Sequence, residues 1–437
     1  MTAPPPALTD SPPPAARTPR PTRRFAAIAV SYFMGLFNDN FYKEAALFIA
    51  VRQDNVAIQA TAAALFTFCY MLGAAPGGWL ADRFAKGHII VAAKAVELLA
   101  MLAGALGVWF GNWWLVLTMI GLMGAQSAVF SPSMNGSIPE LYPPDKVHTA
   151  NTAVRILSTT AILLGMALAG MLMDLHQPSW RGMEQGVFLV GTLVLIAAAV
   201  GFLIAFGAPR IRPKPMNAPF PWKGPVESVR EAVRIGRDPL LAVCVCGNIF
   251  IWSLATVMTL LMINLGETQF AMPARLTAGM KIVFLVGVAL GGLLSNIVAK
   301  GPKFFRALIP AYGCMAGLLV LVGITPYALP SETVRVAVPL LVALAGVAGG
   351  AILVPLESFI QIRPEANHKG RVIAAANFAV FAGMTLGAGL LYVLNRLFLP
   401  TTSLGILGLL TAVFAAGLNG RLRWALSEEG KRGTGVQ

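Results

Sequence analysis

The sequence predicts an all-α polytopic membrane protein with 12 transmembrane helices, arranged as two six-helix bundles with pseudo-two-fold symmetry. The 437 residues are 57% hydrophobic and only 12% charged, with a mean hydropathy of +0.71, whereas soluble domains carry about 25% charged residues. Twelve apolar runs each approach the length of about 20 residues that a spanning helix needs. A basic segment divides these runs into two groups of six, and a short sequence pattern recurs on its two sides.

The predicted spans define the two bundles and the segments outside them. The first six cover residues 25–51, 57–81, 88–111, 113–133, 148–173 and 185–207, which together make an N-terminal bundle over 25–207. The other six cover residues 239–264, 275–299, 304–327, 334–358, 370–396 and 401–424, which make a C-terminal bundle over 239–424. Residues 1–24 contain eight prolines and no apolar core, so we expect a disordered Pro-rich cytoplasmic tail there. Residues 425–437 are expected to form a second cytoplasmic tail.

The segment between the bundles, residues 208–238, is expected to be a basic cytoplasmic linker. It contains Arg210, Arg212, Lys214, Lys223, Arg230, Arg234 and Arg237 but no apolar run. Residues 226–235 within it are predicted to form a short amphipathic helix on the inner membrane surface. The net charge of +14 is concentrated on this side of the membrane. It therefore indicates that both termini are cytoplasmic, with the lipid bilayer rather than nucleic acid as the partner.

An internal repeat supports the division into two related halves. The pattern Pro132, Pro139-Glu140 and Asn151 in the first half corresponds to Pro355, Pro364-Glu365 and Asn377 in the second. The second proline and the asparagine are 12 residues apart in one copy and 13 in the other. Two such halves place the substrate path at their interface near the membrane midplane. Chance similarity between two Gly-rich helices is the alternative explanation.

Asp39 lies near the middle of the first predicted span, within the polar stretch 37–44. An ionised Asp at the centre of a lipid-facing helix costs about 2.5–3.5 kcal/mol. We therefore expect Asp39 to face protein or a water-filled cavity and to contact substrate, together with its neighbours Asn38 and Asn40. The alternative is a structural clasp in which Asp39 pairs with Lys43, one helical turn further along the chain.

Residues 78–88, which include Gly78, Asp82, Arg83 and Lys86, resemble the cytoplasmic signature of the major facilitator superfamily. Gly78 would let two helices approach, Asp82 would cap a helix or pair with a basic group, and the two basic residues would hold the loop inside. The resemblance implies a gating role for these four residues. In this sequence the second glycine, Gly87, stands two positions later than in the usual pattern.

A narrower resemblance depends on several stretches together, namely residues 37–41, 124–132, 138–141, 150–165, 354–356 and 370–377. These stretches are similar to the lysophospholipid transporter family. The resemblance implies flipping of lysophospholipids, chiefly of the ethanolamine type, to the inner leaflet of the bacterial inner membrane by alternating access. It also implies a phospholipid acyltransferase as a partner, and we expect a monomer. The sequence departs from the family pattern at Met134-Asn135, where Lys-Tyr is usual, and at Arg155, where Glu is usual.

Further charged side chains lie inside the spans that line the central cavity of this superfamily. Arg155 or Lys281 would contact a phosphate, and Asp39 or Glu357 an ammonium group. Arg155 and Glu357 lie near cytoplasmic ends, so a gate salt bridge is the alternative for these two. Lys94 and Glu97 are three residues apart on a helix that is normally peripheral, and we predict an ion pair within that helix.

The sequence contains no pattern typical of an enzyme. None of the four histidines begins a His-x-x-x-x-Asp pattern, there is no phosphate-binding loop motif, and the four cysteines lack metal-site spacing. We therefore expect a transporter without catalytic activity, cofactor or metal. Two other functions stay open. One is a proton-coupled major facilitator that moves another small or amphipathic compound, and the other is a membrane scaffold for an acyltransferase.

Overall fold

The computed structural model describes residues 21–209, 219–298, 304–365 and 369–431. Most of the predicted N-terminal tail, linker residues 210–218 and the end of the C-terminal tail lie outside these described residues. The described chain forms thirteen α-helices. Their bounds are α1 Pro21–Arg52, α2 Val56–Arg83, α3 Lys86–Trp109, α4 Trp113–Leu141, α5 Pro144–Met173, α6 Gln185–Ala205, α7 Gly224–Ile235, α8 Pro239–Asn264, α9 Ala274–Val298, α10 Phe304–Ala328, α11 Ser331–Ile362, α12 Lys369–Leu397 and α13 Pro400–Lys431.

The predicted all-helical membrane fold is confirmed. Within the described residues, eleven helices are long and apolar enough to cross a membrane by length and composition. The twelfth long helix is α1, whose hydropathy is lowered by the polar residues between Asn38 and Glu44. The short helix predicted over 226–235 is present as α7.

The helices form an N bundle, α1–α6, and a C bundle, α8–α13, with α7 in the linker between them. Short connections force neighbouring helices to run antiparallel, and polar residues mark several of their starts. Asn55 accepts a hydrogen bond from the backbone N–H of Ile58 at 3.1 Å, and Asp238 accepts one from that of Leu241 at 3.1 Å. Such caps satisfy backbone donors that the first helical turn leaves unpaired.

The two membrane faces are distinguished by what they contain. We call the face with α7 and the start of α1 the linker face. The other, the opposite face, holds Arg52 at the end of α1 and the connection between α8 and α9, which includes a π-helical turn over Leu265–Gln269. Helix α13 extends beyond the predicted span into the segment assigned to the tail.

An ion-pair network joins three parts of the C bundle at the linker face. The Arg363 guanidinium, just after α11, lies 2.8 Å from Asp238 Oδ2 and 2.7 Å from Glu429 Oε1. The hydrogen bond to Glu429 raises the pKa of Arg363 above its ordinary value. The start of α8, the end of α11 and the end of α13 are therefore held together by a permanent positive charge.

Helices α2 and α4 pack at very short range because glycine lies at their contact. A Cβ atom at Gly77 would collide with the carbonyl oxygen of Ala128 and lie 2.9 Å from the Cα of Val129. A Cβ atom at the adjacent Gly78 would meet no atom within 4 Å. The close helix approach expected at Gly78 is therefore made at Gly77 instead.

This difference predicts opposite outcomes for two neighbouring substitutions. Gly77→Ala should lower the unfolding temperature of the purified protein in detergent, because the added methyl forces α2 and α4 apart at a cost of about 1–3 kcal/mol. Gly78→Ala is the matched control and should leave the unfolding temperature unchanged or slightly higher, since Ala favours helix over Gly. Equal effects of the two substitutions would contradict the described α2–α4 contact.

Candidate substrate-binding site

Asp39 is held inside the N bundle by α1 and faces α4. Its side chain is buried, with a residue exposure of 6%. The hydroxyl of Ser127 donates a hydrogen bond to Asp39 Oδ2 at 3.0 Å. The second oxygen, Oδ1, has no hydrogen-bond partner among the described residues. A buried acceptor left unpaired costs about 1–3 kcal/mol or more, so this oxygen is available to a ligand.

Lys94 and Glu97 form an ion pair on α3, as their spacing predicted. Lys94 Nζ lies 2.7 Å from Glu97 Oε2, and both side chains are almost fully buried. The amide of Gln126 donates a further hydrogen bond to Glu97 Oε2 at 3.3 Å, while Oε1 is unpaired within the described chain. The peripheral position expected for this pair is wrong, because Lys94 packs directly against α1 at Gly35, where a Cβ would lie 2.6 Å from its Nζ.

These groups line a partly open cavity of about 180 Å³ between α1, α2, α3 and α4. Its polar lining consists of Asp39, Asn40, Lys43, Lys94, Glu97, Gln126, Ser127 and Ser131, and its aromatic lining of Tyr32, Phe66, Tyr70 and Phe130. The ring of Tyr70 lies 4.5 Å from that of Phe381 on α12. The cavity therefore borders the interface between the two bundles.

Lys43 lines the same cavity but does not form the predicted clasp with Asp39. Its ammonium lies over the ring of Phe66, 5.1 Å from the centroid. Within the described residues, neither Lys43 nor Asp39 takes part in an ion pair at 4.0 Å or less. Lys43 therefore presents a positive charge to the cavity that no carboxylate neutralises by direct contact.

Of the six residues predicted to bind substrate, Asp39 and Asn40 line this cavity. Asn40 uses its amide to donate to the carbonyl of Leu36 at 2.8 Å. Asn38 is fully buried on another side of α1, where its amide donates to the carbonyl of Val194 on α6 at 3.1 Å. Asn38 therefore joins two helices of the N bundle.

The other three predicted residues lie elsewhere. Lys281 on α9 pairs with Glu44 on α1 at 2.5 Å, and both side chains are buried. Glu357 on α11 accepts a hydrogen bond from the indole of Trp252 at 3.2 Å. Arg155 is exposed on α5 and interacts electrostatically with Glu357 across the bundle interface. In the described chain these two do not form the ion pair that a closed gate would need.

Sequence reasoning missed several cavity residues. The sequence indicates Lys43 only as a partner of Asp39, and Lys94 and Glu97 only as partners of each other. Gln126 and Ser127 lie in one of the stretches that carry the family resemblance, and this was the available signal for them.

The two bundles are joined at the opposite face by a series of polar contacts. Arg52 pairs with Glu267 at 2.9 Å, and Arg275 pairs with Asp174 at 3.2 Å. The side-chain oxygen of Gln59 on α2 accepts two further hydrogen bonds. One comes from the amide of Asn264 on α8 at 3.0 Å, and the other from the amide of Asn395 on α12 at 3.3 Å. Together with the pair between Glu44 and Lys281, these contacts join the two bundles at this face.

Comparison with known proteins identifies the family. The sequence profile described as Major Facilitator Superfamily matches residues 25–388. The chain belongs to the major facilitator superfamily. This major facilitator protein is 30% identical over 371 residues to the Lysophospholipid transporter LplT of Klebsiella pneumoniae strain 342. The match covers 81% of this chain and 84% of the relative. It is 28% identical over 419 residues to the same-named protein of Cronobacter sakazakii, covering 92% and 96%. The resemblance to the lysophospholipid transporter family is thus confirmed.

A solved structure agrees with the major facilitator fold. The crystal structure of a bacterial homolog of the human lysosomal transporter Spinster, inward-facing and unoccupied, matches with a TM-score of 0.66. The match covers 94% of this chain and 98% of that one at 16% sequence identity. The likeness at this identity concerns the fold alone.

The signature residues of this major facilitator protein lie at the linker face, between α2 and α3. Asp82 and Arg83 are exposed, and the Arg83 guanidinium lies over the ring of Trp79 at 5.1 Å. Lys86 pairs with Glu140 at the end of α4, at 2.5 Å. The gating role of Gly78, Asp82, Arg83 and Lys86 stays a prediction.

The ion pair between Glu44 and Lys281 should hold the opposite face closed. In Lys281→Met the Glu44 carboxylate is left buried without its partner, and breaking a buried pair in this way costs about 3–5 kcal/mol. We expect the opposite face to open more often, so that a cysteine placed at the buried Ala278 reacts faster with a membrane-impermeant maleimide. The measurement requires a background in which Cys69, Cys244, Cys246 and Cys314 are replaced.

The matched control is the double variant Glu44→Gln/Lys281→Met. It removes both charges, so the uncompensated carboxylate of the single variant is absent. Labelling of Ala278→Cys should then be slower than in the single variant but still faster than in the parent protein, because the stranded charge is gone while the attraction between the bundles is still missing. Slow labelling in the Lys281→Met protein itself would show that this pair does not keep the face closed.

Proposed function

We propose that this protein transports lysophospholipids across the bacterial inner membrane by alternating access of its two bundles. The observation that carries the proposal is the charged cavity beside the bundle interface, where a buried carboxylate oxygen of Asp39 has no hydrogen-bond partner among the described residues. Charged groups inside spans mark substrate paths because they are costly to keep there. The names of the relatives in Klebsiella and Cronobacter supply the substrate class.

The size of the cavity suits one part of such a lipid. Pockets for complete drug-sized ligands measure about 300–1,000 Å³, and this one measures about 180 Å³. It is therefore large enough for a polar head group but not for an acyl chain as well. We infer that the head group enters the cavity while the chain extends between the bundles into the surrounding lipid.

The linker face is assigned to the cytoplasm by the positive-inside rule, because the basic linker lies there. Because the bundles are joined at the opposite face, we infer that this conformation exchanges lipid with the cytoplasmic side. In the proposed cycle the bundles rock so that the opposite face opens to receive lipid from the outer leaflet. We further propose that the protein works as a monomer, that it transports rather than catalyses, and that a phospholipid acyltransferase reacylates the delivered lipid.

Asp39→Asn tests the central contact because it keeps the shape of the side chain and removes its charge. Uptake of labelled lysophosphatidylethanolamine into proteoliposomes should fall at least about tenfold, the loss expected for one charge-assisted hydrogen bond. Glu332→Gln, at the exposed start of α11, is the control and should transport normally. An unchanged uptake rate in the folded Asp39→Asn protein would remove Asp39 from the mechanism.

A second candidate function is proton-coupled transport of another small or amphipathic compound. It is favoured by the same unpaired carboxylate oxygens, which would also accept a proton. One liposome assay distinguishes the two functions. It measures the uptake of lysophospholipids in the presence and in the absence of imposed proton and sodium gradients. For lysophospholipid flipping without ion coupling, we expect uptake to persist after both gradients are collapsed, and loss of uptake would favour proton or sodium coupling.

A further inference from the structure

The cavity contains two acids and two lysines, but these four charges are not equally available to a ligand. Lys94 is committed to Glu97 Oε2 at 2.7 Å and lies 5.3 Å from the ring centroid of Phe130. Lys43 contacts no carboxylate within 4.0 Å in the described chain. Lys43 is therefore the cavity cation that can receive an anionic group without first breaking an ion pair.

The two acids each keep one oxygen free. Asp39 is 6% exposed and Glu97 is 2% exposed, and both line the cavity. Asp39 Oδ1 and Glu97 Oε1 have no hydrogen-bond partner among the described residues, although Oδ2 and Oε2 are bonded to Ser127, Lys94 and Gln126. Glu44 also has an unpaired oxygen, but it lies outside the cavity lining, where its other oxygen is held by Lys281.

Two buried carboxylate oxygens that lack donors are complementary to a group with several N–H donors. A primary ammonium carries three such donors and a full positive charge. A quaternary ammonium carries the charge but no donor, and a glycerol hydroxyl carries donors but no charge. The donor requirement therefore favours the primary ammonium among the common lysophospholipid head groups.

The position of Lys43 agrees with this assignment. Asp39 and Lys43 are four residues apart on α1, so they lie on one helical face about 5–6 Å apart. That spacing is comparable with the ethanolamine link between a phosphate and its ammonium. A head group lying along α1 would then place its phosphate at Lys43 and its ammonium at the acids.

We propose that Glu97 and Asp39 together bind the primary ammonium of a zwitterionic lysophospholipid head group, while Lys43 binds its phosphate. This inference rests on the proposed transport function and deepens it. Lys94 and Gln126 act as positioning residues, because they fix Glu97 Oε2 and leave Oε1 for the ligand.

The test compares three lysophospholipids that share one acyl chain and carry ethanolamine, choline or glycerol head groups. Uptake of each is measured in proteoliposomes containing the full-length protein. The parent protein should take up the ethanolamine lipid roughly tenfold faster than the choline lipid, since the choline group cannot donate hydrogen bonds to the two acids. Equal rates for these two lipids would overturn the inference while leaving lysophospholipid transport intact, whereas no uptake of any of the three would overturn the proposed function itself.

The role of Glu97 is tested with a variant that should remain folded. Glu97→Gln alone would leave Lys94 buried without the carboxylate that neutralises it. We therefore use the double variant Lys94→Met/Glu97→Gln, which removes one charge of each sign. Its preference for ethanolamine over choline should fall to about threefold or less, measured as the ratio of the two uptake rates in the same preparation. A double variant that keeps the full preference would exclude Glu97 as a specificity residue.

Lys43→Gln provides the complementary measurement. All three lipids share the phosphate, so this substitution should raise KM for all of them by a similar factor and leave the ethanolamine preference in place. A selective loss of the ethanolamine lipid alone would contradict the assignment of Lys43 to the phosphate. Glu332→Gln serves again as the control and should keep the parent rates and preference.

Discussion

The structure depends on how charge is kept inside a membrane-spanning bundle. Each ionised side chain that faces hydrocarbon costs several kcal/mol, so the chain surrounds its charges with other helices. Asp39 on α1 receives the hydroxyl of Ser127 from α4, and Lys94 on α3 is neutralised by Glu97 and covered by α1. The packing of α1, α3 and α4 is therefore set by electrostatics as much as by shape. The cavity is the space that this arrangement leaves among the polar groups.

The same requirement explains how the two bundles are held at the opposite face. Glu44 and Lys281 come from different bundles, and each would be a buried unpaired charge without the other. Near them, Arg52 and Arg275 cross the interface to Glu267 and Asp174. An interface made of such pairs has discrete paired and unpaired states. It is thus suited to open and close as a unit rather than to loosen gradually.

Much of the fold could be predicted from the sequence because each span has its own apolar run and each connection its own polar residues. The burial of Asp39 beside a cavity could also be predicted from local information, since an ionised side chain is costly in any lipid-facing helix. Other site features did not follow. The spacing of Lys94 and Glu97 is the same whether α3 faces lipid or protein. It therefore predicts the ion pair but not the position of that pair in the cavity lining. Lys281 and Glu44 are 237 residues apart in the sequence, so no local sequence pattern predicts that they form an ion pair. Asn38 and Asn40 are two residues apart on α1, so their side chains point about 200° apart around the helix. Only the rotation of α1 in the bundle decides which asparagine faces the cavity.

The equal numbers of acids and lysines around the cavity bear on how the membrane voltage acts on this protein. A charge that crosses the membrane gains or loses about 2.3 kcal/mol for each 100 mV. When Asp39, Glu97, Lys43 and Lys94 are all ionised, their charges sum to zero, and a bound zwitterionic lipid leaves that sum unchanged. In the proposed cycle the resting potential would then exert no net force on the charges of this cavity and its lipid. Under that proposal, the direction of net lipid movement would be set by the difference in lipid concentration between the leaflets and by the reaction that consumes the lipid after transport.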